Sequence, residues 1–313
     1  MAHTLLDIAK LNGSDAVVGL IEEVITSAPE VNVLPARTIK GTSYKTVSRT
    51  GYPAVGFRQA NGAATAGQST FVNRLVECYV LSALCTVDKA VAQAYEDGVA
   101  AWQAMEATGV ARQALIEIGQ QIWYGTNTTF GGNSNGFPGF LQTYDSTNMV
   151  VDAGGTTDNV STSVWLVSAG NQDVQLLLGN NTSLQLSDWR EETPSNVPSY
   201  VADMTGWVGL QVVNPNSVCR IKKITTDSTK TLSDSLIAEA ISKFPVGKQP
   251  THIFMNRRSR MQLQKARTVT LFGGPGPAKP AGSVEVISPM PTEAFGIPII
   301  TTDNIVSTET LAS

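Results

Sequence analysis

Apolar residues along this chain follow two periods, and the switch between them marks out its elements. Over residues 1–30 they recur at helical spacing. Leu5, Leu6, Ile8, Ala9 and Leu11 make a first short helix, and Asn12-Gly13-Ser14-Asp15 is a stop and restart. Val17, Val18, Leu20, Ile21, Val24 and Ile25 then predict a second helix, ended near Pro29. From residue 33 to 87 the pattern turns to strand. Thr38, Ile39, Thr42, Tyr44, Thr46 and Val47 favour extended backbone, and a β-rich run goes from Phe71 to Val87. Between them lie Gly51, Pro53, Gly56, Asn61, Gly62 and Gly67. The pattern predicts a long two-stranded excursion with a loose tip.

Asp88 to Tyr124 is the longest helix-compatible stretch. Ala104, Ala107, Ala111, Leu115, Ile118 and Ile122 repeat at steps of three and four and predict one apolar stripe. Asp88 suits an N-cap and Gly125 a stop. Unbroken, the helix would reach roughly 55 Å at about 1.5 Å per residue. Gly98, Gly109 and Gly119 each weaken it by about 1 kcal/mol relative to Ala. The reading is a short helix to about Tyr95 and a main one from about Val99, or one long helix that bends. Either serves as a spine along an extended subunit or as an ordinary helix of a large α+β core.

The second half predicts short strands at 164–167, 174–178, 209–213 and 219–221, separated by Pro, Gly and Asn clusters. A helix follows over 231–244. His252 to Met255 then makes a buried strand, and Asn256 caps a helix to about Arg267. Gly273-Gly274-Pro275-Gly276-Pro277 is a loop, and 284–287 and 297–301 are the last strands.

Charge changes this picture. Residues 36–70 carry Arg37, Lys40, Lys45, Arg49 and Arg58 and no acid. The arm is acidic, with Asp7, Asp15, Glu22, Glu23 and Glu30 against Lys10, and the long helix and its approach bear Asp88, Glu96, Asp97, Glu106 and Glu117. A two-stranded ribbon is marginal in water by itself. The basic excursion therefore needs a surface to lie on, and Glu22, Glu23, Glu96, Asp97 and Glu106 offer one, in the same subunit or the next. Simple solvation of all these charges is the competing reading. Only 15% of the 313 residues are charged, below the usual quarter, which points to surface that meets protein instead of water. A net charge of -4 argues against a dedicated nucleic-acid binder. No apolar run reaches the ~18 residues of a membrane span, and the first residues lack the basic and apolar regions of a signal peptide.

Candidate chemistry is sparse. Gly132-Asn133-Ser134-Asn135-Gly136 fits G-x-S-x-G, but a helix precedes it and Phe137-Pro138-Gly139 follows, the wrong context for a nucleophile elbow. A triad would have to use His252, since His3 lies at the terminus. Cys78, Cys85 and Cys219 read as free thiols, without zinc spacing. Arg257, Arg258, Arg260, Lys265 and Arg267 make one helix basic, a phosphate-binding face or, better, a solvated or partner-facing side, since no aromatic residues interleave to stack bases. Trp102 and Trp123 read as packing residues. The sequence indicates no enzyme, cofactor or metal site.

The order of parts carries a resemblance. An acidic helical arm precedes a basic β-excursion. A long helix then ends in Trp123-Tyr124-Gly125 before Phe137-Pro138-Gly139-Phe140, and a mixed half closes on Phe295-Gly296-Ile297-Pro298-Ile299-Ile300. With Gly41-Thr42-Ser43-Tyr44-Lys45-Thr46 and Ser163-Val164-Trp165-Leu166-Val167, this resembles the major capsid proteins of tailed double-stranded DNA bacteriophages, of the Hong Kong 97-type fold. The resemblance spans nearly the whole chain. It implies an α+β subunit with an N-arm at 1–32 and an extended β-hairpin loop and flanking strands at 33–87. A peripheral domain with the spine helix would occupy 88–155, an axial domain 156–282, and a return to the peripheral domain 283–313. It further implies a virion capsid component, a homo-oligomer of pentamers and hexamers that tiles an icosahedral shell in the host bacterial cytoplasm. The shell would enclose DNA without sequence-specific binding. The implied partners are a separate scaffolding protein and a portal protein, with room for a decoration protein, and no membrane. The same fold also serves encapsulin-type nanocompartments that hold protein cargo, which is the alternative function.

Overall fold

Thr4 starts the first element in this computed structural model, which describes residues 4–12, 22–24, 26–144, 148–181, 183–271, 284–286 and 288–311. Its hydroxyl accepts from the Asp7 N–H while Asp7 accepts from the Thr4 N–H, a reciprocal cap for α1 (Leu5–Leu11). The second arm helix is absent among the described residues of its range. Residues 22–24 have no regular structure, and 13–21 and 25 lie outside the described residues. Pro29 opens α2 (Pro29–Val33) instead of ending a helix; it has no N–H to leave unpaired, and its fixed φ suits the first helical position.

After β1 (Ala36–Thr38), β2 (Ser43–Gly51) and β3 (Thr70–Glu77) form the long antiparallel hairpin expected from the β-favouring residues on either side of the turn-rich middle. The run from Phe71 to Val87 is two strands, not one. The chain turns at buried Cys78, whose N–H donates to Thr42 at 2.8 Å, and β4 (Tyr79–Asp88) enters a different sheet. Asp88 caps α3 (Lys89–Gln93) by accepting from the Ala90 N–H at 2.9 Å. Gly98 breaks the helix at φ 89°, and α4 (Val99–Tyr124) runs to Gly125.

The stripe expected along α4 is corrected. Ala104, Ala111 and Leu115 are exposed, whereas Ile118 and Ile122 are buried. The reason is uneven cover. The C-terminal half is enclosed on nearly every side, so Gly119, Gln121, Trp123 and Tyr124 are buried as well. Further toward the N-terminus Trp102 is the large buried side chain, packed edge-on against Trp189 and clustered with Ile8, Val87 and Ala92.

The remainder builds two main sheets. Its elements are α5 (Phe140–Thr143), β5 (Val150–Asp152), β6 (Thr162–Val167), β7 (Val174–Leu178), β8 (Arg190–Glu192), β9 (Ser199–Val212) and β10 (Val218–Ile224). Then come α6 (Asp234–Ser242), β11 (His252–Met255), α7 (Arg257–Arg267), β12 (Val269–Leu271), β13 (Val284–Val286), β14 (Glu293–Ala294) and β15 (Ile297–Thr301). One sheet has the order β1-β7-β9-β4, with β8 also on β9, and the other β14-β15-β11-β6-β10-β5. These sheets cut across the boundaries expected after residues 155 and 282, because β7 and β9 join β4, and β15 pairs in parallel with β11. The end of α4 packs against the second sheet. The Trp123 ring lies 5.1 Å from Phe254, 5.6 Å from Phe140 and 6.2 Å from Trp165.

Two buried polar knots fasten the chain ends to this core. In the first, the Arg220 guanidinium stands 3.3 Å from Glu309, both fully buried. Ser163 donates to Glu309 at 2.6 Å and accepts from Arg220 at 2.9 Å, and the Tyr124 hydroxyl donates to Glu309 at 2.9 Å. Arg220 also lies over the Trp165 ring. In the second, Glu30 was expected on the acidic surface of the arm but is wholly buried. It accepts from Asn304 at 2.5 Å, beside Gly119, where a Cβ would overlap both side chains. The other Glu30 oxygen has no hydrogen-bond partner among the described residues. Burial raises its pKa above the ordinary carboxylate value.

Removing one member of the first knot strands a buried charge. Glu309→Ala should cost about 3–5 kcal/mol, whereas Glu309→Leu with Arg220→Met should cost far less. Urea titrations of the two variants check this, and equal losses would refute it. For Glu30 the folded pKa is raised, so the folded state binds more protons than the unfolded chain above pH 4.5. Stability should therefore fall as pH rises from that value through the folded pKa, by at most about 1.4 kcal/mol per pH unit. Glu30→Gln should gain on the wild type across the same window. A stability difference that does not change with pH would contradict the assignment.

Candidate assembly interface

The hairpin is rooted firmly and ends freely. At its root the Ile39 N–H donates to Leu178 at 2.8 Å, and the Ile39, Val76, Cys78 and Leu177 side chains form a small buried cluster. The Tyr44 hydroxyl donates to Gln211 on β9, and Gln211 in turn is held by Gln175. Register puts Tyr44, Thr46, Arg74 and Val76 on one face, half-buried or buried against the body. Lys45, Val47, Arg49, Phe71 and Leu75 occupy the other face, and all five are exposed. Beyond the ladder, residues 52–69 have no regular strand or helix, and Tyr52, Val55 and Phe57 are almost fully exposed there. A face of this kind, apolar with cations and open to water on a two-stranded ribbon, is unstable as a free surface and suited to protein contact.

Each sequence-derived candidate has a definite place. Arg37 lies over the Tyr44 ring at 5.6 Å, and Arg49 over Phe71 at 5.4 Å and Tyr52 at 5.7 Å. Arg58 donates to Gly62 at 2.7 Å and shapes the tip, and Lys40 and Lys45 are exposed. Among the described residues, none of the five cations forms an ion pair. On the acidic side Glu22 pairs with Arg112 of α4, and Glu23 is exposed. Glu96 and Asp97 are exposed on the turn before α4, which Asn12 ties to α1 through bonds to the Glu96 N–H and the Ala94 carbonyl. Glu106 lies half-buried near Cys85, whose thiol pKa is raised first by burial and then by that carboxylate. The subunit therefore does not bring the two sets together.

The basic helix α7 resolves differently. Arg257 pairs with Asp303 and Arg267 with Asp234, while Arg258 and Arg260 donate to the Val160 and Pro291 carbonyls. Four of its cations hold its own fold, and Lys265 is exposed. The G-x-S-x-G turn is clamped by buried Gln121, which accepts from the Asn133 N–H and donates to the Phe137 carbonyl. His252 bonds its neighbour Thr251, and burial lowers its pKa. Cys219 sits in the core, its thiol pushed up to about 12 by burial. Trp102 and Trp123 are core residues.

Sequence reasoning missed Arg74 and Lys248, which line a cleft along β2 with Arg37. Alternation along β3 gave a signal for Arg74, since it shares the inward face with Val76. Lys248 comes from a distant turn and gave none.

The family described as Major capsid protein GP7 matches residues 21–313. No curated protein sequence matches the chain. Among solved structures, the chain is similar to a bacteriophage Epsilon15 structure with a TM-score of 0.73 at 20% identity, covering 99% of this chain and 97% of that one. It is also similar to the capsid of the Myoviridae phage XM1, with a TM-score of 0.50 at 11% identity over 67% and 97% of the two chains. An encapsulin from Synechococcus elongatus gives 0.49 at 9% identity over 73% and 98%, too slight a likeness to carry an argument. The protein is thus a structural shell component of a virion, and the chain belongs to the GP7 family of major capsid proteins, with the Hong Kong 97-type fold of tailed-phage capsids.

Proposed function

We propose that this capsid subunit assembles as pentamers and hexamers into an icosahedral shell around double-stranded DNA, with each hairpin laid over a neighbouring subunit. The observation that carries the reading is the hairpin itself. It presents Lys45, Val47, Arg49, Phe71 and Leu75 to solvent on one face, and its cations have no carboxylate partner among the described residues of their own chain. Lys40, Arg37 and Arg58 extend the same positive surface, and Glu22, Glu23, Glu96, Asp97 and Glu106 of a neighbour supply the counter-charge. Each exposed pair contributes only about 0–1 kcal/mol. Buried apolar area adds about 25 cal/mol per Å². Repetition around the shell makes the sum large.

In this reading residues 1–32 act as an arm, the hairpin as the overlap between subunits, and α4 as the spine of a peripheral region. The turns of the mixed half gather around the symmetry axes. A separate scaffolding protein, a portal protein and a decoration protein are the partner classes such a shell recruits. The net charge of -4 keeps the lining from gripping packaged DNA.

Negative-stain electron microscopy of the purified chain, expressed with and without the neighbouring gene, tests the reading. Closed shells or rings are expected, and shells that need the neighbour would identify a scaffold. Only monomers or dimers under both conditions would overturn it. Reversing Arg37, Lys40 and Lys45 together to Glu should cut shell yield about tenfold while the subunit's thermal midpoint stays within a few degrees of wild type. Shells at normal yield would remove the electrostatic part.

A further inference from the structure

Three asparagines of this chain stand directly before a glycine: Asn12, Asn61 and Asn135. Such a pair carries a latent reaction. The backbone nitrogen of the glycine can attack the asparagine side-chain carbon, and glycine has no Cβ to hinder the approach. The reaction requires a free side chain and a backbone that can rotate. The fold therefore decides which of the three pairs is reactive.

Two of them are held. The Asn12 amide donates to the Ala94 carbonyl at 2.8 Å, and its oxygen accepts from the Glu96 N–H at 2.9 Å, so both ends of the side chain are tied. Asn135 has an exposed side chain but a pinned backbone. Its N–H donates to the Asn133 side chain at 3.0 Å, and the Gly136 N–H donates to the Asn133 carbonyl at 3.0 Å. A Cβ on Gly136 would overlap buried Gln121, which also grips the turn through Asn133 and Phe137.

Asn61 has neither restraint. It is exposed in the segment 52–69, which has no regular strand or helix, and no bond ties its side chain among the described residues. Its φ of 63° suits the third position of a tight turn. One backbone bond closes that turn, from the Gly62 N–H to the Gln59 carbonyl at 3.0 Å, and a loop tip of this kind opens readily. The Arg58 guanidinium spans the same turn and donates to the Gly62 carbonyl at 2.7 Å. A cation held there favours loss of the proton from the attacking nitrogen and pairs with the carboxylate that results.

We infer that Asn61 is a self-modification site, where the chain converts a neutral amide at the hairpin tip into a carboxylate, with water as co-reactant and Arg58 as the positioning residue. The Gly62 nitrogen gives up its proton and bonds to Cγ of Asn61. The Cγ–Nδ2 bond breaks, and ammonia leaves with that proton. Water then opens the cyclic imide at either of its carbonyls, which leaves an aspartate or an isoaspartate. No electrons are transferred. Residues 36–70 contain no acid in the encoded sequence. The reaction adds one beside Arg58 and lowers the positive charge of the tip.

Peptide mass spectrometry of the full-length chain, kept in warm, mildly alkaline buffer, tests the assignment. In the folded chain Asn61 should convert at least about tenfold faster than Asn12 or Asn135, because only its turn opens without releasing tertiary bonds. In urea the three rates should converge, since the restraints on Asn12 and Asn135 are then gone. Equal rates in the folded chain, or no conversion at Asn61, overturn the inference. So does a preference for Asn61 that persists unchanged in urea, which would make it a property of the local sequence and not of the fold. Arg58→Gln should slow conversion at Asn61 about threefold in the folded chain and leave the rate in urea unaltered. An unchanged rate in the folded variant overturns the role given to Arg58.

Discussion

The fully buried pair of Arg220 and Glu309 is the constraint on which the subunit turns. An arginine and a carboxylate without access to water are tolerable only when each finds its hydrogen bonds, and here Ser163 and Tyr124 help to supply them. Those groups belong to β10, the C-terminal segment, β6 and the end of α4. None of the four elements can shift without leaving an ion unpaired. Tyr124 and Glu309 are 185 positions apart, so the knot joins segments distant in sequence. Glu30 does the same for the arm, since its bond to Asn304 joins two segments 274 positions apart.

A rigid interior of this kind stands in contrast to the surface it supports. The second sheet and the end of α4 are densely packed, with Trp123 against Phe140, Trp165 and Phe254, and Phe140 against Trp165. The N-terminal half of α4 and the whole hairpin are covered on one side or none. A monomeric soluble protein seldom keeps Phe57, Val55 and Tyr52 so exposed. The low charge fraction agrees with this, because surface destined for other subunits needs little solvation.

Local chemistry was the most legible part of the sequence. Asp88 and Asn256 cap the helices that their positions suggested, and Gly98 breaks the long one where its backbone has φ 89°. The hairpin was legible because β-favouring residues flank a middle rich in Gly, Pro and Asn. The stripe through Ala104, Ala111 and Leu115 misled because period alone does not say what covers a helix, and against the described residues of one subunit these side chains stay exposed. Glu30 and the α7 arginines misled for the opposite reason. Charge suggested solvent, but Asn304, Asp303, Asp234 and two backbone carbonyls were waiting for them in the fold. The candidate contacts were legible as two charge sets but not as a geometry, since Arg74 and Lys248 reach the cleft from strands and turns far from Arg37 in sequence.

The rooted hairpin also behaves as a lever. Its strands extend about 30 Å at roughly 3.3 Å per residue, while its buried anchorage, through Ile39, Tyr44, Val76 and Cys78, lies toward one end. A turn of about 5° at that pivot carries the far end through nearly ~3 Å over such a length. That is enough to slide one side chain past another. A ribbon hinged in this way would let subunits with identical interiors meet neighbours inclined at different angles.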